Sequence, residues 1–324
     1  RTDSFAAWHQ EYPNMIWIAS ETKAYNKKWI HDYEKIRYHD NSWQEMAPFI
    51  AGQFIWAGID YLGESMGWPD RGFRHGLLRS TGKVKPYAWY TGSIYAEEPM
   101  VRLAVVDPFL VDSLNNLKSW QRTWAGAPVV RHWTFSHDTA DKQVLVYTNC
   151  QEVDIALNGE KLATLQKADF EDGVIQIPVH WEPGTLTVTG RYRSENGKAS
   201  IVRDTLFSAG KPRALEMKPD KRELLADGKD IVHITTRVID EAGHLNPWAN
   251  HLVNYTVDGP GNLRIIDNGD PADHTPYQAM SRRVHRGEHL IVIQSLPEPG
   301  DLVISATAEG LESARLKISA KKEH

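Results

Sequence analysis

A single cysteine, Cys150, is all the thiol chemistry this chain of 324 residues possesses. That excludes an internal disulfide framework and a cysteine-ligated zinc site, and it leaves the compartment open because disulfide-free proteins occur everywhere. The expected role of Cys150 is that of a small buried apolar residue. Clustered Lys and Arg are also missing. Charged residues make up 24% and the net charge is -5, which removes the basic footprint that nucleic-acid binding needs. No run approaches the roughly 20 apolar residues that span a bilayer, and Arg1 to Phe5 lack the apolar core of a signal peptide. Neither nucleic acid nor membrane is therefore an expected partner. Metal-ligand spacing is absent as well: the histidines are scattered, and Asp267-Asn268-Gly269-Asp270 lacks the twelve-residue plan of an EF-hand. No cofactor is expected, and that segment reads as a turn. There is no initiator methionine before the first buried-strand pattern, so the natural N-terminus is expected upstream. What the chain has in unusual number is aromatic rings, with 12 Trp and 12 Tyr. Their flat faces suit core packing and stacking on sugar rings equally.

At roughly 100 to 200 residues per domain the length accommodates two or three domains. Asn14 to Ser20 is a short apolar run ending in the polar Ser20-Glu21-Thr22, the pattern of a parallel strand leaving a sheet. From Lys28 to Tyr38 apolar residues recur at helical spacing, and Trp43 to Ile50 extends or repeats that helix. Gln53 to Asp60 predicts a second strand, completing a βαβ unit. A Gly- and Pro-rich loop, Glu64 to Gly82, precedes a closing helix over Lys85 to Tyr95. Beyond Glu98 the texture changes to short alternating strands split by turns, such as Val144 to Tyr147, Val153 to Leu157 before Asn158-Gly159, and Leu186 to Thr189. Ser208 to Pro212 reads as a linker. A second strand set follows at Ile231 to Ile239, Leu252 to Val257, Leu290 to Gln294 and Leu302 to Ala308, with a turn at Asp240 to Gly243. The basic end, Lys317 to Lys322, reads as a solvated tail. The expected domains are therefore 1–98, 99–209 and 210–324.

Catalytic groups of an eight-stranded βα barrel sit at the C-terminal ends of its strands, and Glu21 and Asp60 occupy such ends here. An ionised carboxylate at an aromatic-lined mouth is what attack on an anomeric carbon requires, because the transition state carries oxocarbenium-like positive charge. A strand-end carboxylate beside a helix start would account for Glu21 as well, and spacing alone leaves that plainer role ahead.

Tyr12-Pro13-Asn14-Met15-Ile16-Trp17-Ile18-Ala19-Ser20-Glu21 resembles the nucleophile strand of glycoside hydrolase family 2, the β-galactosidase group. Gly52 to Glu64 resembles the strand that follows it, and Trp68-Pro69-Asp70-Arg71 with Lys85 to Tyr90 resembles the family's final loop and helix. The resemblance extends through Val144 to Gly159, Val232 to Gly243, Asp267 to Asp270 and Ala306 to Leu311, covering nearly the whole chain. It implies the C-terminal part of a (β/α)8 TIM barrel followed by two immunoglobulin-like β-sandwiches. It makes Glu21 the nucleophile and Trp56 part of the floor of the sugar subsite. Asp60 is either a sugar ligand or a structural carboxylate, and Glu64 and Trp68 border the pocket. For Trp181, Trp248 and His251 a sugar-binding surface and packing between modules are both open, with packing favoured.

Retaining hydrolysis uses two carboxyl groups about 5 to 5.5 Å apart. The resemblance places the acid/base glutamate on an earlier barrel strand, upstream of this chain, so the chain alone is expected to be inactive and the rest of the barrel is an expected partner. The substrate implied is an oligo- or polysaccharide with a terminal β-galactoside. Family glucuronidases use an Asn-x-Lys pair where this chain reads Phe73-Arg74-His75-Gly76, and β-mannosidase is the third specificity. The rival reading is a binding or assembly fragment without catalysis. A homo-oligomer is compatible with all of these, and a periplasmic or extracellular address is favoured over a cytoplasmic one.

Overall fold

The computed structural model describes residues 4–22, 49–65, 67–118, 121–122, 126–135, 140–170, 173–194 and 196–322. The chain divides into two compact units, the first made of Arg1–Met66, Gly72–Arg131 and His137–Leu206, the second of Gly67–Arg71, His132–Ser136 and Phe207–His324.

In the first unit, helix α1 (Ser4–Glu11) precedes strand β1 (Trp17–Thr22), which pairs in parallel with β2 (Ile50–Ile55). Parallel neighbours require a crossover of a dozen or more residues. The expected helix over Lys28 to Tyr38 lies outside the described residues, as does most of Trp43 to Ile50, and Ile50 itself opens β2. Both strands are displaced from the apolar runs that announce them. The ladder begins where Trp17 N donates to Phe49 O at 2.8 Å, three residues after Asn14, and Glu21 lies inside β1. β2 stops at Ile55, so Trp56 stands in a bend and Asp60 lies beyond the strand. Backbone pairing sets strand ends, and hydrophobicity only locates the run.

A short antiparallel pair follows, β3 (Tyr61–Leu62) with β4 (Gly72–Phe73), Tyr61 opposite Phe73. Helix α2 (Ala88–Tyr95) starts three residues later than expected because Lys85 to Tyr87 form a turn, and it buries Ala88, Tyr90 and Ser93. Strand β5 (Val101–Val106) leads to α3 (Pro108–Asn115), whose N-cap Asp107 accepts from Phe109 N at 2.9 Å with Pro at the helix start. One four-stranded sheet joins β5 with β6 (Val129–Val130), β7 (Asp141–Thr148) and β10 (Ile175–His180) in the order β10-β7-β5-β6. The other joins β8 (Glu152–Leu157), β9 (Glu160–Gln166), β11 (Thr185–Arg193) and β12 (Ala199–Phe207) in the order β12-β11-β8-β9. Asn158 and Gly159 both have positive φ, 52° and 84°, as the tight β8–β9 hairpin demands. Tyr87 and Tyr90 pack with Ala104, Val129, Leu145 and Tyr147, and Ile55 of β2 leans on the same cluster. Cys150 is fully buried; a Cβ on Gly190 would meet its Sγ at 2.7 Å, and burial pushes its thiol pKa up. Trp181 is also buried, which makes it a packing residue.

The second unit sets β13 (Ala214–Pro219), β15 (Ile231–Ile239), β19 (Glu288–Ser295) and β17 (Gly261–Asp267) in one sheet, ordered β13-β15-β19-β17. The other sheet runs β14-β21-β20-β16-β18, from β14 (Glu223–Leu225), β21 (Ala314–Lys321), β20 (Gly300–Thr307), β16 (Leu252–Asp258) and β18 (Ser281–Arg283). Leu215, Val232, Ile234, Val238, Ile291 and Ile293 from the first sheet share one core with Val253, Tyr255, Leu302, Ile304, Leu316 and Ile318 from the second. The four strands expected here are present. The basic end corrects the sequence reading: residues 314–321 form a strand paired with both β20 and β14. Its lysines alternate with buried residues, Lys317 pairing with Asp301 at 2.7 Å and Lys321 with Glu223, while Leu316, Ile318 and Ala320 face the core. Counting charges concealed a period of two.

Candidate active site

The first unit gathers three of the expected site residues around Tyr61, one the sequence reading did not single out. Tyr61 Oη donates to Glu64 Oε2 at 2.5 Å, and Trp56 and Glu21 both influence the ionisation of the same phenol, Trp56 lowering and Glu21 raising its pKa. Trp56 meets Tyr61 edge to face, with ring centroids 6.0 Å apart and planes at 82°, and Tyr61 stacks on the buried Phe73 at 5.1 Å. Phe73 fixes one face of Tyr61, and the short β3–β4 pairing holds both in register. Partial burial, then the neighbouring carboxylates Glu64 and Glu21, raise the Tyr61 pKa, against the lowering effect of Trp56. The phenol therefore stays protonated and acts as a donor. The edge-to-face contact with Tyr61, itself held by Glu64 and Phe73, orients the indole of Trp56, which remains 43% exposed and so keeps area free for a ligand. Glu21 itself is exposed. The signal for Tyr61 was its place three residues before Glu64.

Asp60 is engaged elsewhere. Its Oδ1 accepts from Lys85 Nζ at 2.6 Å and from Gly76 N at 2.9 Å, and the same ammonium donates to Arg74 O at 2.8 Å. Tyr87 Oη closes the knot on Gly76 O at 2.5 Å. Only glycine fits at 76, since a Cβ there would lie 2.4 Å from Ile59 C and 2.5 Å from Asp60 N. Burial raises the Asp60 pKa and outweighs the opposing pull of Lys85; burial likewise lowers Lys85 to about 8 against the pull of Asp60. Both shifts have one cause, the desolvation of each charge. The carboxylate ties the stretch after β2 to Arg74–Gly76 and to the turn before α2.

Trp68 falls in the second unit, its ring 4.6 Å from that of His274. In the same unit Trp248 Nε1 donates to Thr134 O at 3.0 Å, and half-buried His251 lines an open hollow of about 520 Å³ with Asn250, Leu252, Asn254, Arg283 and Glu309. Among the described residues no group of three or more His, Cys, Asp or Glu is arranged to hold a metal ion.

The chain as a whole is similar to several known proteins. The family model described as glycoside hydrolase family 2 C-terminal domain 5 matches residues 215–317, and one described as a domain of unknown function (DUF4982) matches 140–199. A beta-galactosidase of Bacteroides ovatus (BoGH2A) is 30% identical over 321 residues, 97% of this chain and 33% of its own length. A putative beta-glucuronidase of Formosa agariphila is 28% identical over 279 residues, 82% of this chain and 24% of its own. A solved glycosyl hydrolase family 2 member from Bacteroides cellulosilyticus matches with a TM-score of 0.83 at 25% identity, over 99% of this chain and 41% of that one. The class these matches define is the C-terminal region of multidomain glycoside hydrolases. The chain belongs to glycoside hydrolase family 2. It spans about a third or less of the length of the curated relatives it matches.

Proposed function

We propose that this chain supplies the closing strands of a (β/α)8 catalytic barrel, followed by two immunoglobulin-like sandwiches, in a retaining exo-acting β-galactosidase. Glu21 is the nucleophile: it attacks the anomeric carbon of a terminal β-D-galactoside as the bond to the aglycone oxygen breaks, that oxygen leaving with a proton from the acid/base carboxyl. Water deprotonated by the same carboxyl then hydrolyses the glycosyl ester and frees galactose and the Glu21 carboxylate. The acid/base carboxyl comes from the part of the enzyme that precedes this chain, so the chain alone does not turn over substrate. Trp56 forms the floor of the sugar subsite, Glu64 accepts from sugar hydroxyls as well as from Tyr61, and Trp68 binds substrate beyond. Asp60 acts on the sugar indirectly, by fixing the loop that carries these groups. The observation that carries this reading is Tyr61, which holds Glu64 through its hydroxyl and meets Trp56 edge to face, in the unit that also contains Glu21. The relative named a beta-galactosidase, and the lack of Asn-x-Lys at Phe73 to Gly76, favour galactosides over glucuronides.

The test is a screen of the full-length protein on nitrophenyl β-galactoside, β-glucuronide and β-mannoside, repeated with Glu21→Gln. Galactoside turnover is expected to fall on the order of 10⁴-fold or more, the scale for losing a nucleophile. Turnover that survives the substitution unchanged would sink the assignment, as would activity from the purified 324-residue chain.

A further inference from the structure

One hollow lies wholly within the second unit and has no part in the chemistry proposed above. It sits on the outer face of the five-stranded sheet, where β16, β18 and the chain leaving β20 come together, and offers about 520 Å³. That volume falls in the range of about 300–1,000 Å³ typical of small-ligand sites. The period of two builds the floor: Val253 and Tyr255 of β16 turn into the core, which leaves Leu252 and Asn254 outside, and on β18 Arg282 is buried while Arg283 is exposed. Arg283 stands opposite Leu252, and Asn254 lies between Ser281 of β18 and Thr307 of β20. Glu309 follows two residues after Thr307. Arg283 Nη1 donates to Asn250 O at 2.9 Å, and Val284 N donates to His251 O at 3.0 Å, so the segment before β16 is tied to β18.

We infer that this hollow binds a neutral saccharide, which makes the last module a carbohydrate-binding one. Its two charged lining residues are one of each sign, so an anionic ligand would meet Glu309 and a cationic one Arg283. Among the described residues the Asn254 amide and the Glu309 carboxylate have no hydrogen-bond or ion-pair partner, and the buried Nδ1 of His251 has none either. A sugar hydroxyl both donates and accepts, and the lining supplies both kinds of partner: guanidinium donors, a carboxylate acceptor, and amides that do each. Leu252, 44% exposed, gives an apolar surface for the C–H face of a pyranose. An added peptide strand is disfavoured, because Asn268 Nδ2 already caps Arg283 O at 3.0 Å. Asn254 is held by strands on both sides, which lowers the ordering cost of binding. Nothing in this site depends on Glu21.

The experiment uses the full-length protein with Glu21→Gln to stop turnover. Neutral β-linked tetrasaccharides of galactose, glucose and mannose, and a glucuronate tetrasaccharide as the charged counterpart, are titrated by calorimetry, which gives both affinity and the number of sites. Asn254→Ala and Glu309→Ala are each expected to weaken one neutral-saccharide site about tenfold, the scale of one hydrogen bond, and the double variant to remove that site from the count. Glu309→Gln still accepts and should retain most of the affinity. Neither side chain has a polar partner within the protein, so the melting temperature should hold in every variant. Unchanged affinity and site count in the double variant, no neutral tetrasaccharide bound by the parent, or a preference of this site for glucuronate overturns the proposal. Hydrolysis of nitrophenyl β-galactoside by the Glu21→Gln protein overturns the catalytic reading instead, and leaves the effect of Asn254 and Glu309 on the site count to be read as before.

Discussion

Replacing Lys85 by methionine should do more damage than its distance from the sugar chemistry suggests. The Lys85 and Asp60 side chains are only 12% and 10% exposed, and the ammonium sits 2.6 Å from the carboxylate. At an effective dielectric of about 20, the attraction between unit charges at that separation is about 6 kcal/mol. Much of it is offset by the cost of drying both groups, which is why the Asp60 pKa is raised and that of Lys85 is lowered despite their pairing. Removing one partner leaves the other dry and unpaired, a loss of about 3–5 kcal/mol. For a unit of this size that is a fall of roughly 10 °C in the melting temperature. Asp60→Asn should be milder, since Asn still accepts from Gly76 N and Lys85, already lowered to about 8, can shed its proton. The double variant should recover part of the loss. The assay is a double-mutant cycle on full-length protein by calorimetry, with kcat/KM measured alongside. A coupling below about 0.5 kcal/mol, the level expected of independent sites, would refute the claim that this pair anchors the loop.

Three further predictions concern the second unit. Tyr255 Oη lies 2.5 Å from Thr236 Oγ1 and from His289 Nε2 inside the core, so Tyr255→Phe should cost about 1–3 kcal/mol by leaving buried partners unsatisfied, seen as a lower denaturation midpoint. Burial pushes His289 down to about 3 from 6.5; the unfolded chain takes up a proton that the folded one refuses, so stability should fall as pH drops from about 6.5 towards 3. His289→Leu with Tyr255→Phe should flatten that acid limb in pH-dependent melting, and an unchanged limb would assign it to other groups. Deleting residues 314–324 should unfold this module, because it removes β21 with Leu316, Ile318 and Ala320. Circular dichroism of the truncated protein checks it, and a native spectrum would restore the solvated tail.

Local pattern alone determined a good deal. The alternation in Val153 to Leu157 and Ile231 to Ile239, the Asn158-Gly159 hairpin and the irregular stretch at Ser208 to Pro212 are properties of neighbouring residues, and the strands appear where the period of two puts them. Motif resemblance named Glu21, Trp56 and Glu64 as candidates without showing where they stand. Tertiary structure decided the rest, because it turns on contacts between residues remote in sequence. The basic end becomes a strand only when β20 and β14 flank it. Asp60 becomes a buried anchor only because Lys85, 25 residues away, reaches it. Trp68 acquires its brace from His274, 206 positions on in the chain. A hydrophobic period reports which face is buried; it carries no information on which distant charge or ring will complete a neighbour, and that choice belongs to the folded chain.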